Sequence, residues 1–200
     1  GSGLLARSFS RLLATGPGFD RANVMTFRVA LPASDYKDGA AIRQFVDELR
    51  RRLRELPAVE FAGATTVLPI AQNAPGFARE VEGRPIVANQ LPPMIHFKIV
   101  AAGYFDAMRI PIRLGRDFHS GDLNPEARSL VVNEALANLY WPGQDPLGKR
   151  IRPVGEGQQG PRPWHTVVGV VGNERQDGLR EPVRPLLFYA MDDSLDGGLP

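Results

Sequence analysis

The pattern closest to a binding fingerprint is Gly155, Gly157 and Gly160, which together spell G-x-G-x-x-G. A dinucleotide site needs that loop to run from a strand into a helix, whose N-terminal amides receive the pyrophosphate. Here it runs into Pro161 and Pro163 and then an alternating apolar stretch, so a flexible loop is the better reading. The second candidate is Asp117, His119 and Asp122, oxygen and nitrogen donors of the kind that hold a divalent ion. All three fall in one polar turn with no distant fourth ligand, and such turns ordinarily meet only water. His96 and His165, with no cysteine anywhere in the chain, give no metal-ligand spacing. No G-x-S-x-G elbow surrounds any serine, and Gly148 and Lys149 precede Arg150 without the upstream glycines of a phosphate-binding loop. Catalytic, cofactor-binding and metal-binding residues are therefore all read as none.

The elements that would carry such residues follow from periodicity. Leu4, Leu5, Phe9, Leu12 and Leu13 mark an amphipathic helix over Gly3 to Thr15 that stops at Gly16 and Pro17. Met25, Phe27, Val29 and Leu31 alternate with more polar neighbours and predict a strand from Asn23 to Leu31 with one face on a core. Ile42, Phe45, Val46, Leu49, Leu53 and Leu56 recur at helical spacing and predict a helix from about Gly39 to Leu56. Its basic face also carries acids, and Asp47 with Arg51 and Glu48 with Arg52 stand in the favourable acid-first order four apart. A solvated, ion-paired face is preferred there to a nucleic-acid footprint. With strand character from Val59 to Leu68, the chain opens as a βαβ unit.

From Pro69 to Pro93 the texture becomes rich in Gly, Pro and Asn, with one strand at Phe77 to Glu82. Beyond it come a half-buried strand at Met94 to Val100 with His96 and Lys98 on the polar side, and a short helix at Tyr104 to Met108. A strand at Ile110 to Leu114 and a turn at Gly115 to Phe118 follow. Ser129 to Val132 is a strand, and Asn133 caps a helix from Glu134 to Tyr140. Lys149 to Val154 and Trp164 to Val171 form a hairpin, and Leu186 to Ala190 is the last strand. The fold class is α+β in two lobes.

Composition narrows the function classes. The 200 residues carry 24 basic and 22 acidic side chains, a net charge of +2, and 21 of the basic residues are arginines scattered among acids. A basic stripe interleaved with aromatics is absent, which argues against nucleic acid. No stretch reaches the roughly 18 consecutive apolar residues of a membrane span, and the absence of cysteine removes thiolate chemistry and a disulfide framework.

A series of short motifs in order then becomes informative. It runs from Gly3 to Phe9, through Gly16 to Asp20, Asn23 to Phe27, Leu56 to Glu60, Gly103 to Met108 and Gly115 to Phe118. It continues through Val132 to Leu136, Tyr140 to Gly143, Asp145 to Gly148, Val168 to Gly172 and Leu187 to Tyr189. The series resembles the MacB-like periplasmic core domain of ABC transporter permeases of the FtsX/MacB type, in particular the duplicated permease group. That resemblance implies a membrane-proximal helix at 1–18, the first part of a porter-like lobe at 19–68, an inserted Sabre-like lobe at 69–185 and a return strand at 186–200. It further implies an inner-membrane parent with this domain in the periplasm, a membrane span before Gly1, no catalytic set and no cofactor. The implied partners are the rest of the permease with its transmembrane helices, an ABC ATPase subunit or domain, a periplasmic protein and a second copy of the domain. Two other readings stay open on the residues alone: a soluble two-lobed module binding a small ligand or protein, and a hydrolase built on a carboxylate pair.

Overall fold

The computed structural model describes residues 23–32, 34–36, 38–68, 74–84, 86, 91–123, 127–157, 160–174 and 182–191. The predicted helix at Gly3 to Thr15 and the boundary at Pro69 lie outside the described residues. Helix α1 spans Gly39–Arg54, and Asp38 caps it by accepting the Ala41 amide at 2.8 Å. Glu48 takes hydrogen bonds from both Arg51 and Arg52 and is held down to about pKa 2 by them. The expected pair of Asp47 with Arg51 does not form. Asp47 instead accepts from Arg50 at 3.0 Å, and Arg51 bridges Glu48 and Glu55.

The βαβ opening is not formed. Residues 24–32 make no strand, and residues 59–68 contribute only a single bridge between Thr65 and Val100. Met25 is 88% exposed and Phe27 57%. Alternation identifies which face of a segment is apolar, and a strand also needs a neighbour to pair its amides.

The remaining strands close on themselves. They are β1 Gly76–Val81, β2 Met94–Val100, β3 Ile112–Gly115, β4 Ser129–Asn133, β5 Arg150–Pro153, β6 Glu156–Gly157, β7 Gly160–Pro161, β8 His165–Val171 and β9 Leu186–Ala190. The main sheet runs β3-β8-β4-β9-β2-β1-β5, and β5 pairs back onto β8 through Ile151 and His165. Six strands therefore form a ring, with β3 and β5 sharing one edge of β8. β2 runs parallel to β9 and β4 parallel to β8, while the other pairings of the ring are antiparallel.

Period-two alternation now has two apolar destinations. Inside the ring lie Ile95, Phe97, Ile99, Leu130, Val132, Ile151, Val167, Leu187 and Tyr189, joined by Leu136 and Tyr140 of helix α3, Glu134–Tyr140, and by Trp141 just after it. Outside it, Val100, Val131, Val171, Leu186 and Phe188 meet Tyr104 and Phe105 of helix α2, Tyr104–Ala107, and Phe118. β4 and β9 are buried along their whole length for this reason. The same arrangement corrects the half-buried reading of Met94 to Val100, because Lys98 is fully buried.

A bulge in β8 keeps its parity in register. The pairing with β4 shifts between Leu130 and Val131, so Val167 and Val170 both face inward. Gly169 sits at that bulge, and a Cβ there would stand 2.1 Å from the Arg116 carbonyl oxygen. Asn133 caps α3 by accepting the Leu136 amide at 2.9 Å, as its position in the sequence predicts. Its Oδ1 also accepts the Leu186 amide, and its Nδ2 donates to the Arg184 carbonyl, so one side chain ties α3 to the start of β9.

Candidate functional site

The best-organised polar cluster is buried under α2. Lys98 projects from the outward face of β2, in register with Phe188 of β9. Gly103, at φ +79°, turns the chain sharply off β2 into α2 and brings Tyr104 over the lysine. Gly63 allows the approach, since a Cβ there would lie 2.6 Å from the Tyr104 Cα. The third member is Glu174, three residues past the end of β8. That exit is held by Gly172, whose amide donates to the Pro111 carbonyl, and by Asn173, whose Oδ1 accepts the Ala135 amide.

Lys98 Nζ stands 2.5 Å from Glu174 Oε1, and both side chains are 0% exposed. The Tyr104 hydroxyl donates to Glu174 Oε2 at 3.0 Å and accepts from Lys98 Nζ at 3.4 Å. Burial pulls the lysine below its ordinary pKa while Glu174 opposes the shift, and burial pushes the Tyr104 phenol well above its own. A cation and an anion that neutralise each other beyond the reach of solvent have no open face for a substrate. The cluster fixes the relative positions of β2, α2 and the β8 exit. Its sequence signal was faint: one lysine in a mostly apolar strand, with a partner 76 positions away.

The sequence-predicted metal candidates are only partly brought together. Asp122, 2% exposed, accepts from Arg116 at 2.5 and 2.9 Å, from the Ser129 hydroxyl at 2.5 Å and from the His119 amide at 2.9 Å. Burial alone would raise its pKa, but these hydrogen bonds hold it at about 2. His119 is exposed, with Nδ1 accepting the Gly121 amide at 3.0 Å and lying 3.3 Å from Asp122. Asp117 turns onto its own neighbour, accepting the Phe118 amide at 2.6 Å, and burial raises its pKa. Asp122 is thus the anchor of the turn, and among the described residues no group of three or more His, Asp or Glu is placed to hold a metal. Asp122 and Glu174 are the only buried acids among the described residues, and each is matched to a cation.

The glycine fingerprint ends in a strand pair. β6 and β7 form a two-stranded antiparallel hairpin within the loop, followed by β8 and not by a helix. His96 contacts the Ala74 carbonyl through Nδ1 at 2.7 Å, and its Nε2 lies 3.3 Å from Arg184. His165 faces the ring interior, edge-on to Tyr189.

The sequence profile of the MacB-like periplasmic core domain matches residues 8–188. The chain belongs to this family. It is a periplasmic domain of MacB/FtsX-like ABC transporter permeases, a domain that is typically non-catalytic. Among solved structures, the extracellular domain of the noncanonic ABC-type transporter YknZ from Gram-positive bacteria is 17% identical, with a TM-score of 0.46 over 74% of this chain and 63% of that one. The periplasmic region of MacB from Actinobacillus actinomycetemcomitans is 15% identical, with a TM-score of 0.47 over 92% and 71%. A domain of a putative permease from Porphyromonas gingivalis is 17% identical, with a TM-score of 0.45 over 68% and 52%. No curated protein matches the chain. Among the described residues, no helix is long and apolar enough to cross a membrane.

Proposed function

We propose that this MacB-like domain is a non-catalytic part of an ABC transporter permease that relays motion across the membrane during export. The observation that carries the reading is the way α1 is locked to the ring. Arg50 of α1, with a side chain 11% exposed, donates through Nε to the Ala62 carbonyl at 3.1 Å. The segment it holds is stitched in turn to the end of β2, because the Thr66 amide donates to Ile99 and the Ala101 amide to Ala64. Val46 of α1 and Ala64 also pack against the ring interior cluster. A displacement of α1 is thereby delivered to β2, and through the Lys98–Glu174 pair to the far side of the sheet.

In this reading residues 19–68 begin a porter-like lobe and 69–185 belong to an inserted Sabre-like lobe, with 1–18 lying next to the membrane. The partners are the remaining permease, an ABC ATPase and a periplasmic protein. The test uses the intact parent permease with its ATPase. Arg50→Ala is expected to lower transport severalfold while ATP hydrolysis and membrane abundance persist, with exposed Arg54→Ala as the control. Unchanged transport in Arg50→Ala would overturn relay through α1.

A further inference from the structure

Inside the ring lies a guanidinium that meets no carboxylate among the described residues. Arg79 of β1 shares its inward parity with Phe77 and Val81 and is 0% exposed. Its guanidinium lies 5.3 Å from the Phe97 ring centroid, 5.8 Å from that of Phe77 and 5.8 Å from that of Tyr189. Only Nη1 leans on a carbonyl, that of Ala78 at 3.4 Å, while Nε and Nη2 have no hydrogen-bond partner. Those two nitrogens form the side-on fork that receives the two oxygens of a planar oxyanion. A second group on the same ring wall is also unmet. His165, 7% exposed and edge-on to Tyr189 at 5.1 Å, has a buried Nδ1 without a partner.

The surroundings select the sign of the ligand. The groups facing this pair are the Tyr189 phenol from β9, which favours the charged guanidinium, the Pro163 carbonyl, which favours the charged imidazole, Arg128 just before β4, and Arg162, which adds positive potential at Arg79. Arg150 and Arg152 of the neighbouring β5 turn away onto Trp164 and pair with Glu82 and Glu80. Among the described residues no acid faces the fork, and a guanidinium held among three rings is stabilised when an anion reaches it.

We propose that Arg79 and His165 form a binding site inside the ring for a small planar carboxylate, taken up together with one proton. The carboxylate oxygens accept from Arg79 Nε and Nη2. The proton goes to His165 Nδ1, which changes from a lone pair into a donor toward the same anion. Binding of the anion therefore rises as pH falls through the range in which the free imidazole is neutral.

The probe is sodium formate titrated into the 200-residue chain at constant ionic strength. Sodium gluconate, a much larger carboxylate, balances the salt. The readouts are the melting temperature and the NMR signals of Arg79 Nε and the His165 ring. The site predicts saturable formate binding that tightens about tenfold per unit fall in pH between 7 and 5. Arg79→Lys, which keeps the charge and loses the fork, should abolish saturation, and His165→Gln should bind without the pH dependence. Three results would each overturn the assignment: no saturable shift of Arg79 Nε, an equal response to gluconate, or undiminished binding in Arg79→Lys. The NMR signals are read on the unsubstituted protein, so the outcome does not depend on whether a variant folds.

Discussion

Replacing Lys98 by Met tests whether the buried triad holds the sheet to α2. The substitution keeps the apolar stem and removes the ammonium 2.5 Å from Glu174 Oε1, while the fully buried carboxylate still accepts from the Tyr104 hydroxyl at 3.0 Å. Breaking a buried pair on one side costs about 3–5 kcal/mol, because an uncompensated charge stays in the interior. For a chain of this size about 2–4 °C of melting temperature goes with each kcal/mol, so the expected fall is roughly 6–20 °C. The double variant Lys98→Met with Glu174→Gln retains an acceptor for Tyr104 and carries no charge. It should return to within about 1 kcal/mol of the parent, giving a coupling of at least about 2 kcal/mol. Urea unfolding followed by circular dichroism at pH 7 measures Lys98→Met, Glu174→Gln and the double variant against the unsubstituted protein. A single variant that loses less than about 1 kcal/mol would refute the reasoning, as would a double variant whose loss is the sum of its singles.

Further expectations rest on other contacts. Burial, with Arg128 and Arg79 nearby, lowers His165 from its ordinary 6.5 to about 4. The unfolded chain therefore binds the proton first, and stability is lost as pH falls from about 6.5 toward 4. In the absence of small carboxylates this amounts to about 2 kcal/mol between pH 7 and 5, seen in urea melts as a difference between the parent and His165→Gln. Gly169→Ala places a methyl against the Arg116 carbonyl, where a Cβ would lie at 2.1 Å. Loss of more than about 3 kcal/mol, or failure to accumulate as soluble protein, is expected, and a near-parental melting temperature would contradict the bulge geometry. Asn133→Ala strips a cap and two further hydrogen bonds from a fully buried position. It should cost about 2–4 kcal/mol, with Asn133→Asp recovering part because it still accepts from Leu136 and Leu186; chemical denaturation ranks the pair.

What could be read from the sequence divides along a physical line. The Asn133 cap, the extent of α1 and the β5–β8 hairpin depend on neighbours close in the chain or on one periodic face, and each was legible. The strand expected from Asn23 to Leu31 was not a safe inference, because alternation there named an apolar face without naming a partner for its amides. Lys98 was misplaced for a related reason. Its parity put it opposite the apolar residues of β2, but α2 and the β8 exit return from distant positions to cover that side. Arg79 is the opposite case. Its shared parity with Phe77 and Val81 was present in five consecutive residues, but its burial was not, and Phe77 itself stays 40% exposed. The missing information was closure of the sheet through Ile151 and His165, which surrounds the charge with strands instead of leaving one side to water. A cation on the inward face of an open sheet can extend toward solvent, whereas one inside a ring must find its counter-charge within it. That step from parity to closure turns an unremarkable strand residue into the most electrostatically demanding position in the ring.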